Sequence, residues 1–259
     1  MSDHYYNRSG AERYTNENGK PTRITDARKH GWVPSSTTVL KMFRKEGLER
    51  HIQNSQMIAA AENPFDPDGK MTMWQWQGFV RELASKKGKD AAALGTIYHD
   101  AVECVLHDDI MIDEAVVIPP EFFVEFRKWW ESTGLVMLET ECAFAHSLGY
   151  GGKIDLIAEH VDTGSIVYVD WKTQDTKPGK DVGFYDAWEL QLESYARGDQ
   201  DYMGADYPKY EIMSVVLSRT EPGRIESKIW PDNDRYWSVF QSCLDIWKYK
   251  KKYDSGWEK

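Results

Sequence analysis

The sequence is poor in cysteine, and this shortage excludes two kinds of protein. Only three cysteines occur among its 259 residues, Cys104, Cys142 and Cys243, and no two of them form a CxxC pair. An ordinary iron–sulfur cluster is held by a full set of thiolates, which these scattered residues do not supply. We therefore expect no iron–sulfur cluster and no disulfides, as in a reducing compartment.

Long apolar runs are lacking as well. No stretch reaches the roughly 18 apolar residues that suggest a membrane helix, and the first residues, MSDHYYNRSG, are polar. The N-terminal region mixes acidic residues with its arginines, unlike a mitochondrial presequence. We expect a soluble protein without a membrane partner, in the cytoplasm of a bacterium or of a phage-infected cell.

Positive charge is also in deficit. The chain holds 42 acidic residues against 32 lysines and arginines, which gives a formal net charge of −10. This balance argues against a protein that coats nucleic acid through bulk attraction to phosphate. A local basic channel is still compatible with it, and a carboxylate-rich metal site adds negative charge while its cations receive the phosphate.

Hydrophobic patterns predict an α/β fold, with a helical N-terminal region packed on a core that forms a single structural unit. The N-terminal region is expected to span residues 1–90 and the core residues 91–259. Predicted upstream elements are a short helix capped by the hydroxyls of residues 35–38, helices at 47–61, 72–87, 90–107 and 119–130, and a loop at 63–69.

The downstream half of the chain has a different residue pattern, typical of strands. Short segments rich in valine, isoleucine and tyrosine predict strands. Two predicted helices are expected to cover both faces of a central mixed sheet. The strands are predicted at 135–145, 153–159, 165–172, 210–219 and 224–230, and the helices at 184–198 and 233–252.

One predicted strand ends in Asp170 and Lys172, which alternation places on the same face. In phosphodiester hydrolysis, such a carboxylate can hold Mg²⁺ while the lysine orients a water or offsets charge on the phosphate. The same acid-x-Lys pattern occurs at residues 175–177 and 226–228, where it usually means a solvated salt bridge. The spacing alone therefore does not select the site.

A second carboxylate distinguishes Asp170 from the other candidates. Asp155 lies in an apolar strand just upstream, and a short turn at 162–164 joins the two strands. Mg²⁺ is normally bound through one or two carboxylates plus waters and substrate phosphate, which suits this pair. A charged strand end is the simpler interpretation, but Ile154 and Leu156 argue against it, because a carboxylate in an apolar strand is costly unless paired or metal-bound.

Three other polar residues lie on predicted helices. His99 borders the apolar stripe of the helix at 90–107, where a lone histidine is more often a satisfied core residue than a ligand. Gln191 and Tyr195 stand one helical turn apart and share a face of a later helix. Taken alone, all three are ordinary helix residues.

The order of these residues resembles the RecB-like branch of the PD-(D/E)xK nucleases, and within it a group of mitochondrial and phage exonucleases. The resemblance covers about residues 33–197. It rests on VPSSTTVL at 33–40, His99, a strand glutamate at Glu139 or Glu141, GKID at 152–155, VDWKT at 169–173, and Gln191-x-x-x-Tyr195.

The resemblance implies a restriction-endonuclease-like core and a nuclease that uses Mg²⁺ or Mn²⁺ to cleave DNA. The implied metal ligands are His99, Asp155, Asp170 and the main-chain carbonyl of Trp171. The implied catalytic residues are Asp155, Asp170, Lys172, which would serve the attacking water, and Glu141. The resemblance also implies that Gln191 and Tyr195 brace the site or contact DNA. Alternation does not choose between Glu139 and Glu141, and Glu141 is preferred because it lies nearer the strand of Asp155.

The expected activity is exonucleolytic cleavage of single-stranded or frayed DNA ends. A structure-specific endonuclease on the same core is one alternative, because fold and metal site do not set polarity or the need for an end. A DNA-binding module that has lost turnover is another. The complete set of His99, Asp155, Asp170 and Lys172 argues against the inactive module.

Tryptophan is abundant, and its 11 residues are open to two interpretations. Trp74 and Trp76 precede several lysines, an arrangement that can hold single strands by stacking on their bases. Core packing is the preferred interpretation of both. Burial is expected for Trp129, Trp188 and Trp230.

Overall fold

The computed structural model of the protein describes residues 3–43, 46–108, 118–205, 209–231 and 233–257, excluding the side chains of Leu48 and Lys87. The chain divides into two compact units. The larger unit is made of Met1–Phe43 and Ala101–Lys259, and the smaller unit is Arg44–Asp100.

The described strands all lie in the larger unit, whereas helices occur in both units. The strands are β1 (Tyr5–Tyr6), β2 (Glu12–Arg13), β3 (Val33–Pro34), β4 (Leu135–His146), β5 (Tyr150–His160), β6 (Ile166–Gln174), β7 (Tyr210–Ser218) and β8 (Ile225–Ile229). The helices are α1 (Ile24–His30), α2 (Ser36–Val39), α3 (Glu46–Glu62), α4 (Met73–Leu106), α5 (Pro120–Thr133), α6 (Trp188–Met203) and α7 (Asn233–Lys251), with a 3₁₀ helix at Leu40–Met42. Within the described residues, no helix combines the length and apolar character needed to cross a membrane.

A 5-stranded mixed sheet, in the order β4-β5-β6-β7-β8, forms the centre of the larger unit. The strands β6 and β7 are parallel, and the other neighbouring pairs are antiparallel. The helix α6 lies between β6 and β7 in the chain, as expected because parallel neighbours need a crossover connection. The predicted α/β class with a central mixed sheet is therefore confirmed.

Helices cover both faces of this sheet. On β6, Tyr168 is part of the core that includes residues of α6 and α7. Trp171 instead lies edge-on to Phe126 and Trp129 of α5, with ring centroids 5.7 and 6.1 Å apart. Because Tyr168 and Trp171 are an odd number of positions apart, they point to opposite faces of the strand. The expectation of helices on both faces is confirmed.

The first 43 residues differ from the predicted helical N-terminal region. The strand β1 pairs antiparallel with β2 and β3 in a small sheet, and a bridge between Ser35 and Gly151 connects its end to β5. These residues belong to the larger unit, so the division differs from the predicted boundary at residue 90. The physical reason is that strands of 2 residues are too short to show alternation, and both tyrosines of β1 are buried.

The expected hydroxyl cap is present at the start of α2. Ser35 has an extended backbone, and its Oγ accepts a hydrogen bond from the Thr38 N–H at 3.1 Å. The hydroxyl of Ser36 donates to the carbonyl of Gly151 at 3.2 Å. The hydroxyl run therefore both begins a helix and ties the N-terminal segment to β5.

The smaller unit contains α3 and most of α4. The helices predicted separately at 72–87 and 90–107 form one helix of 34 residues, since the glycines within it only weaken a helix and no proline interrupts it. Core packing was the wrong interpretation of Trp74, whose surface is 76% exposed. Trp76 is partly buried, and its indole N–H donates to the carbonyl of Asn63 at 2.7 Å.

Candidate active site

The central sheet opens between β5 and β6, and the opening creates the candidate site. The two strands pair from Glu159 and Ile166 as far as Leu156 and Val169, where the ladder ends. Beyond that point β5 continues beside β4, and β6 continues beside β7. The next residue on β5 is Asp155, and the next on β6 is Asp170. Both carboxylates that were predicted as metal ligands therefore lie where β5 and β6 separate, a point we call the fork.

The carboxylate of Asp155 takes the place of a strand partner at the fork. Its Oδ2 accepts a hydrogen bond from the main-chain N–H of Trp171 at 2.8 Å. Ile154 and Leu156 on either side are fully buried, whereas Asp155 is half-buried. The carboxylate is thus held between the apolar strand and the opening of the sheet.

Asp170 is almost completely buried, with 2% of its surface exposed. Its Oδ1 accepts a hydrogen bond from the side-chain amide of Gln191 at 2.9 Å. Its Oδ2 lies 2.5 Å from Nζ of Lys172 as an ion pair, but no hydrogen bond of suitable geometry reaches this atom from any described residue. The ammonium of Lys172 offsets the negative charge of this buried oxygen, because a buried charge needs a partner of opposite sign.

Lys172 is placed beside Asp170 by the alternation of β6, as the sequence predicted. The parallel register with β7 continues through both residues, so the strand is regular here. The ammonium of Lys172 also donates to Oε1 of Gln191 at 3.3 Å, and its Nζ lies 5.7 Å from the ring centroid of Trp188. The lysine is therefore fixed by a carboxylate, an amide and an aromatic face.

Gln191 and Tyr195 meet on one face of α6. The amide of Gln191 donates to Oη of Tyr195 at 2.7 Å, in addition to its contacts with Asp170 and Lys172. Burial raises the pKa of Tyr195 well above its usual value, and the charges of Asp170 and Asp155 raise it further. The phenol stays protonated at neutral pH, which leaves it as a neutral support for the amide.

The position of Gly152 explains why a glycine precedes Asp155 at this spacing. A Cβ at residue 152 would lie 2.8 Å from Cε1 of Tyr195 and 2.7 Å from the ring of Phe144. Any side chain would displace the tyrosine that contacts Gln191. The glycine therefore permits the close approach of β5 to α6 beneath the site.

Glu139 and Glu141 have different neighbours, although simple alternation would place them on one face. The register of β4 shifts between Met137 and Glu139, and Glu141 has a left-handed backbone with φ of 54°. Glu141 forms an ion pair with Lys153, two residues before Asp155. Glu139 instead lies beside Cys142; burial raises the pKa of that thiol, and the charge of Glu139 raises it further. These contacts support the preference for Glu141, which stays a prediction.

Sequence reasoning missed a second cation near the fork. Lys153 pairs with Glu141, and its Nζ lies 3.9 Å from Glu12 of β2. Glu12 also accepts hydrogen bonds from the hydroxyls of Tyr6 at 3.1 Å and Tyr14 at 2.6 Å. A signal was present, because Lys153 and Asp155 alternate on β5, but the contribution of β2 left no pattern in the sequence.

Two further residues, His99 and Trp171, were predicted as metal ligands. His99 lies on α4 within the smaller unit and is half-buried. Trp171 is buried, with its ring packed against α5. The roles of the His99 imidazole and the Trp171 carbonyl in binding metal stay predictions.

The donor set at the fork fits a hard divalent cation. Across the part of the chain that the structure describes, no three His, Cys, Asp or Glu side chains converge to hold a metal. Mg²⁺ needs fewer protein ligands than that, since it keeps several waters and is bound through one or two carboxylates plus substrate phosphate. Asp155 and Asp170 supply these carboxylates at the fork.

These contacts define an α/β protein with two carboxylates and a lysine at the fork of a mixed sheet. No family model and no curated protein matches the chain. Among solved structures, the chain is similar to the protein of "Crystal structure of SSO0001", with 15% identity over 79% of this chain and 88% of that chain. The TM-score is 0.32, and a likeness at this level carries no argument about the site.

Proposed function

We propose that the protein is a deoxyribonuclease that depends on Mg²⁺ or Mn²⁺ and acts as an exonuclease on single-stranded or frayed DNA ends. One observation carries the proposal: the fork between β5 and β6 presents Asp155, Asp170 and Lys172 together, with Gln191 in contact with two of them. This arrangement combines ligands for a cation with a fixed positive charge. Phosphodiester hydrolysis needs both, because charge accumulates on the phosphate oxygens in the transition state.

Each residue has a defined part in this proposal. Asp155 and Asp170 would hold the cation, with the carbonyl of Trp171 as a further ligand, whereas a part for His99 rests on the sequence resemblance alone. A cation bound there would supply Lewis acidity toward the phosphate and the attacking water. The Lys172 ammonium orients the attacking water and stabilises negative charge on the phosphate as water adds to phosphorus and the alcohol departs.

Gln191 positions two of these groups at once. Its amide N–H bonds to Asp170 and its carbonyl to Lys172, so a rotation of Asp170 away from the opening costs a hydrogen bond. Tyr195 accepts from the same amide group and fixes its orientation. Supporting hydrogen bonds of this kind keep ligands in the geometry that binding requires. Both residues are therefore proposed to position the site.

The net charge of −10 is compatible with this function. Cations at the fork, rather than bulk attraction, would bring the phosphate to the site. A cytoplasmic location, as expected from the composition, stays a prediction.

The proposal is tested with linear and circular single-stranded DNA incubated with Mg²⁺ or Mn²⁺. An exonuclease degrades only the linear form, a structure-specific endonuclease cuts both, and an inactive binding module cuts neither. EDTA should abolish cleavage, and Asp170→Asn should abolish it in the presence of metal. Cleavage that persists in Asp170→Asn would place the activity in a contaminant or at another site.

A further inference from the structure

The segment between β6 and α6 carries a large aromatic ring outside the core. Tyr185 has 60% of its surface exposed. It precedes Trp188, the first residue of α6, whose ring faces the ammonium of Lys172. Exposed single apolar residues are common on proteins. This one differs because a chain of ring contacts joins it to the candidate active site.

The ring of Tyr185 is held in place on two sides. It stands edge-on to Trp188, with centroids 5.3 Å apart and an interplanar angle of 90°. It also lies over Gly183, where a Cβ would come within 3.2 Å of the ring. Since glycine leaves that space open, the ring can lie against the backbone while the rest of it faces solvent.

The backbone of this segment is fixed as well. The side-chain amide of Gln174, the last residue of β6, donates to the carbonyl of Gly183 at 2.6 Å. Ala187 is buried and left-handed, with φ of 79°, a conformation that alanine adopts only at a cost in free energy. Such strain persists where the surrounding contacts over-determine the conformation, and it clusters at ligand clamps. The segment therefore presents Tyr185 in a defined position.

Two lysines flank the ring cluster that includes Tyr185. Phe184 contacts Trp188 and Trp230, with centroids 6.2 and 6.4 Å apart. Lys228 of β8 lies with its Nζ 3.7 Å from the ring of Trp230 and 5.8 Å from that of Phe184. Lys172 stands at the other end, against Trp188. Proteins hold single-stranded nucleic acid with exposed aromatic rings beside cations, and Tyr185 is the exposed ring of this cluster.

We infer that Tyr185 stacks on a base of single-stranded DNA whose neighbouring phosphate lies at Lys172, with Lys228 contacting the backbone farther along the strand. This inference rests on the proposed nuclease function. Stacking needs a base with a free face, which a single strand offers and the interior of a duplex does not. The surface would therefore select single-stranded or frayed substrate without selecting a sequence.

The test measures binding without cleavage. Fluorescence anisotropy in EDTA gives the Kd of a labelled oligothymidylate for the full chain and for Tyr185→Ala, Tyr185→Phe and Tyr249→Ala. Tyr249 is the matched control because it is another exposed tyrosine, on α7. Loss of one stacked base should raise the Kd of Tyr185→Ala about 5- to 150-fold. Tyr185→Phe keeps the ring and Tyr249→Ala leaves the surface intact, so both should bind like the unmodified chain.

A second arm locates the base. Oligothymidylates with a single abasic site at successive positions should include one that weakens binding of the unmodified chain but not of Tyr185→Ala, because the partner ring is already missing. Blunt duplex DNA should bind Tyr185→Ala and the unmodified chain equally.

The outcomes separate this inference from the proposed function. If the unmodified chain binds and cleaves single strands while Tyr185→Ala binds them equally well, the inference is overturned and the nuclease proposal stands. An equal loss of affinity in Tyr185→Phe would assign the effect to the hydroxyl. An equal loss of affinity in Tyr249→Ala would show that the effect is not specific to Tyr185. Either result would overturn the stacking inference. If the unmodified chain neither binds nor cleaves single strands, both proposals fall.

Discussion

The main-chain N–H of Trp171 donates its hydrogen bond to the side chain of Asp155 rather than to a strand carbonyl. Where β5 and β6 separate, the N–H of the diverging strand would otherwise lose its partner, and an unpaired buried N–H is costly. The carboxylate therefore both closes the ladder and faces the opening. The support that Asp155 gives to the fork and its proposed binding of a cation can be tested separately.

Asp155→Asn should leave the fold as stable as before and abolish cleavage. Asparagine keeps a carbonyl oxygen that can accept from Trp171 but lacks the negative charge that a cation requires. Asp155→Ala removes the acceptor too and should lower the free energy of unfolding by about 1 to 3 kcal/mol. Urea unfolding and a cleavage assay on both variants check the prediction. Equal stability of the two variants would mean that the hydrogen bond contributes nothing.

Asp170→Asn and Lys172→Ala should each abolish cleavage, because the groups that they remove are together expected to accelerate it by far more than about 100-fold. The first removes the charge of the buried carboxylate, and the second removes the ammonium that faces it. Both variants should still unfold cooperatively, because neither change removes much packing. Single-turnover cleavage of a linear single strand, with melting curves alongside, measures both effects.

The matched controls are Asp175→Asn and Lys177→Ala, from the next acid-x-Lys triplet. Asp175 is paired with Arg219 at 2.9 Å, but its side chain is 69% exposed. An exposed ion pair of this kind contributes about 1 kcal/mol or less to stability. Both controls should cleave at the unmodified rate. Losses as large as those of the first pair would show that β6 was wrongly chosen as the catalytic strand.

The sequence predicted the elements that depend on periodicity. The five strands of the central sheet follow from runs of valine, isoleucine and tyrosine, and alternation correctly paired Asp170 with Lys172 on β6. The contact between Gln191 and Tyr195 follows from helical spacing in the same way. These patterns reflect local geometry, which neighbouring residues determine without reference to the rest of the chain.

Features that depend on distant contacts or irregular backbone could not be predicted. The left-handed conformation of Glu141 and the register shift in β4 change the neighbours of the two glutamates, and no local residue pattern marks them. The pairing of Glu12 with Lys153 needs residues that are far apart in the chain. The exposed position of Tyr185 likewise depends on Gly183 and Trp188 as they lie in the fold.

His99→Ala should weaken metal binding without unfolding the protein. Imidazole is a softer ligand than carboxylate and favours transition metals, whereas Asp155 and Asp170 suit Mg²⁺. Activity should therefore fall at limiting metal and be partly restored by excess Mn²⁺. A metal titration of cleavage, with melting curves, checks this. An unchanged metal dependence, or a large loss of melting temperature, would identify His99 as a structural histidine.

Stability should fall as the pH rises through neutrality because of Glu193. Burial raises the pKa of this carboxyl from 4.5 to about 7, against hydrogen bonds from Tyr210 and Arg197 that lower it. The folded state thus binds the proton more tightly than the unfolded chain does. Its stabilising contribution is fully present below pH 4.5 and is lost as the pH rises through about 7.

The measurement compares urea unfolding of the unmodified chain and Glu193→Gln across this pH range. The unmodified chain should lose at most about 3 kcal/mol relative to the variant between the two ends of the window. Asp234→Asn is the control, because Asp234 pairs with the same Arg197 but its side chain is 97% exposed. Its stability should still fall as the pH rises, with only a small shift to lower pH, because the charge of Asp234 is the last of the causes that raise the pKa of Glu193. A constant difference between the unmodified chain and Glu193→Gln would rule out Glu193 as the source.

Gln191→Ala should lower activity by about 10- to 100-fold, the usual effect of losing a group that orients metal ligands. The loss should appear in kcat and in the metal requirement more than in KM, because Gln191 contacts Asp170 and Lys172 rather than a distant part of the substrate. Gln191→Glu separates the two contacts: it keeps an acceptor for Lys172 but loses the donor to Asp170. If that donor positions the carboxylate, Gln191→Glu should be at least as damaging as Gln191→Ala. Tyr195→Phe removes only the hydroxyl and should cost less. An active Gln191→Glu variant with unchanged metal dependence would show that the bond to Asp170 has no part in positioning the site.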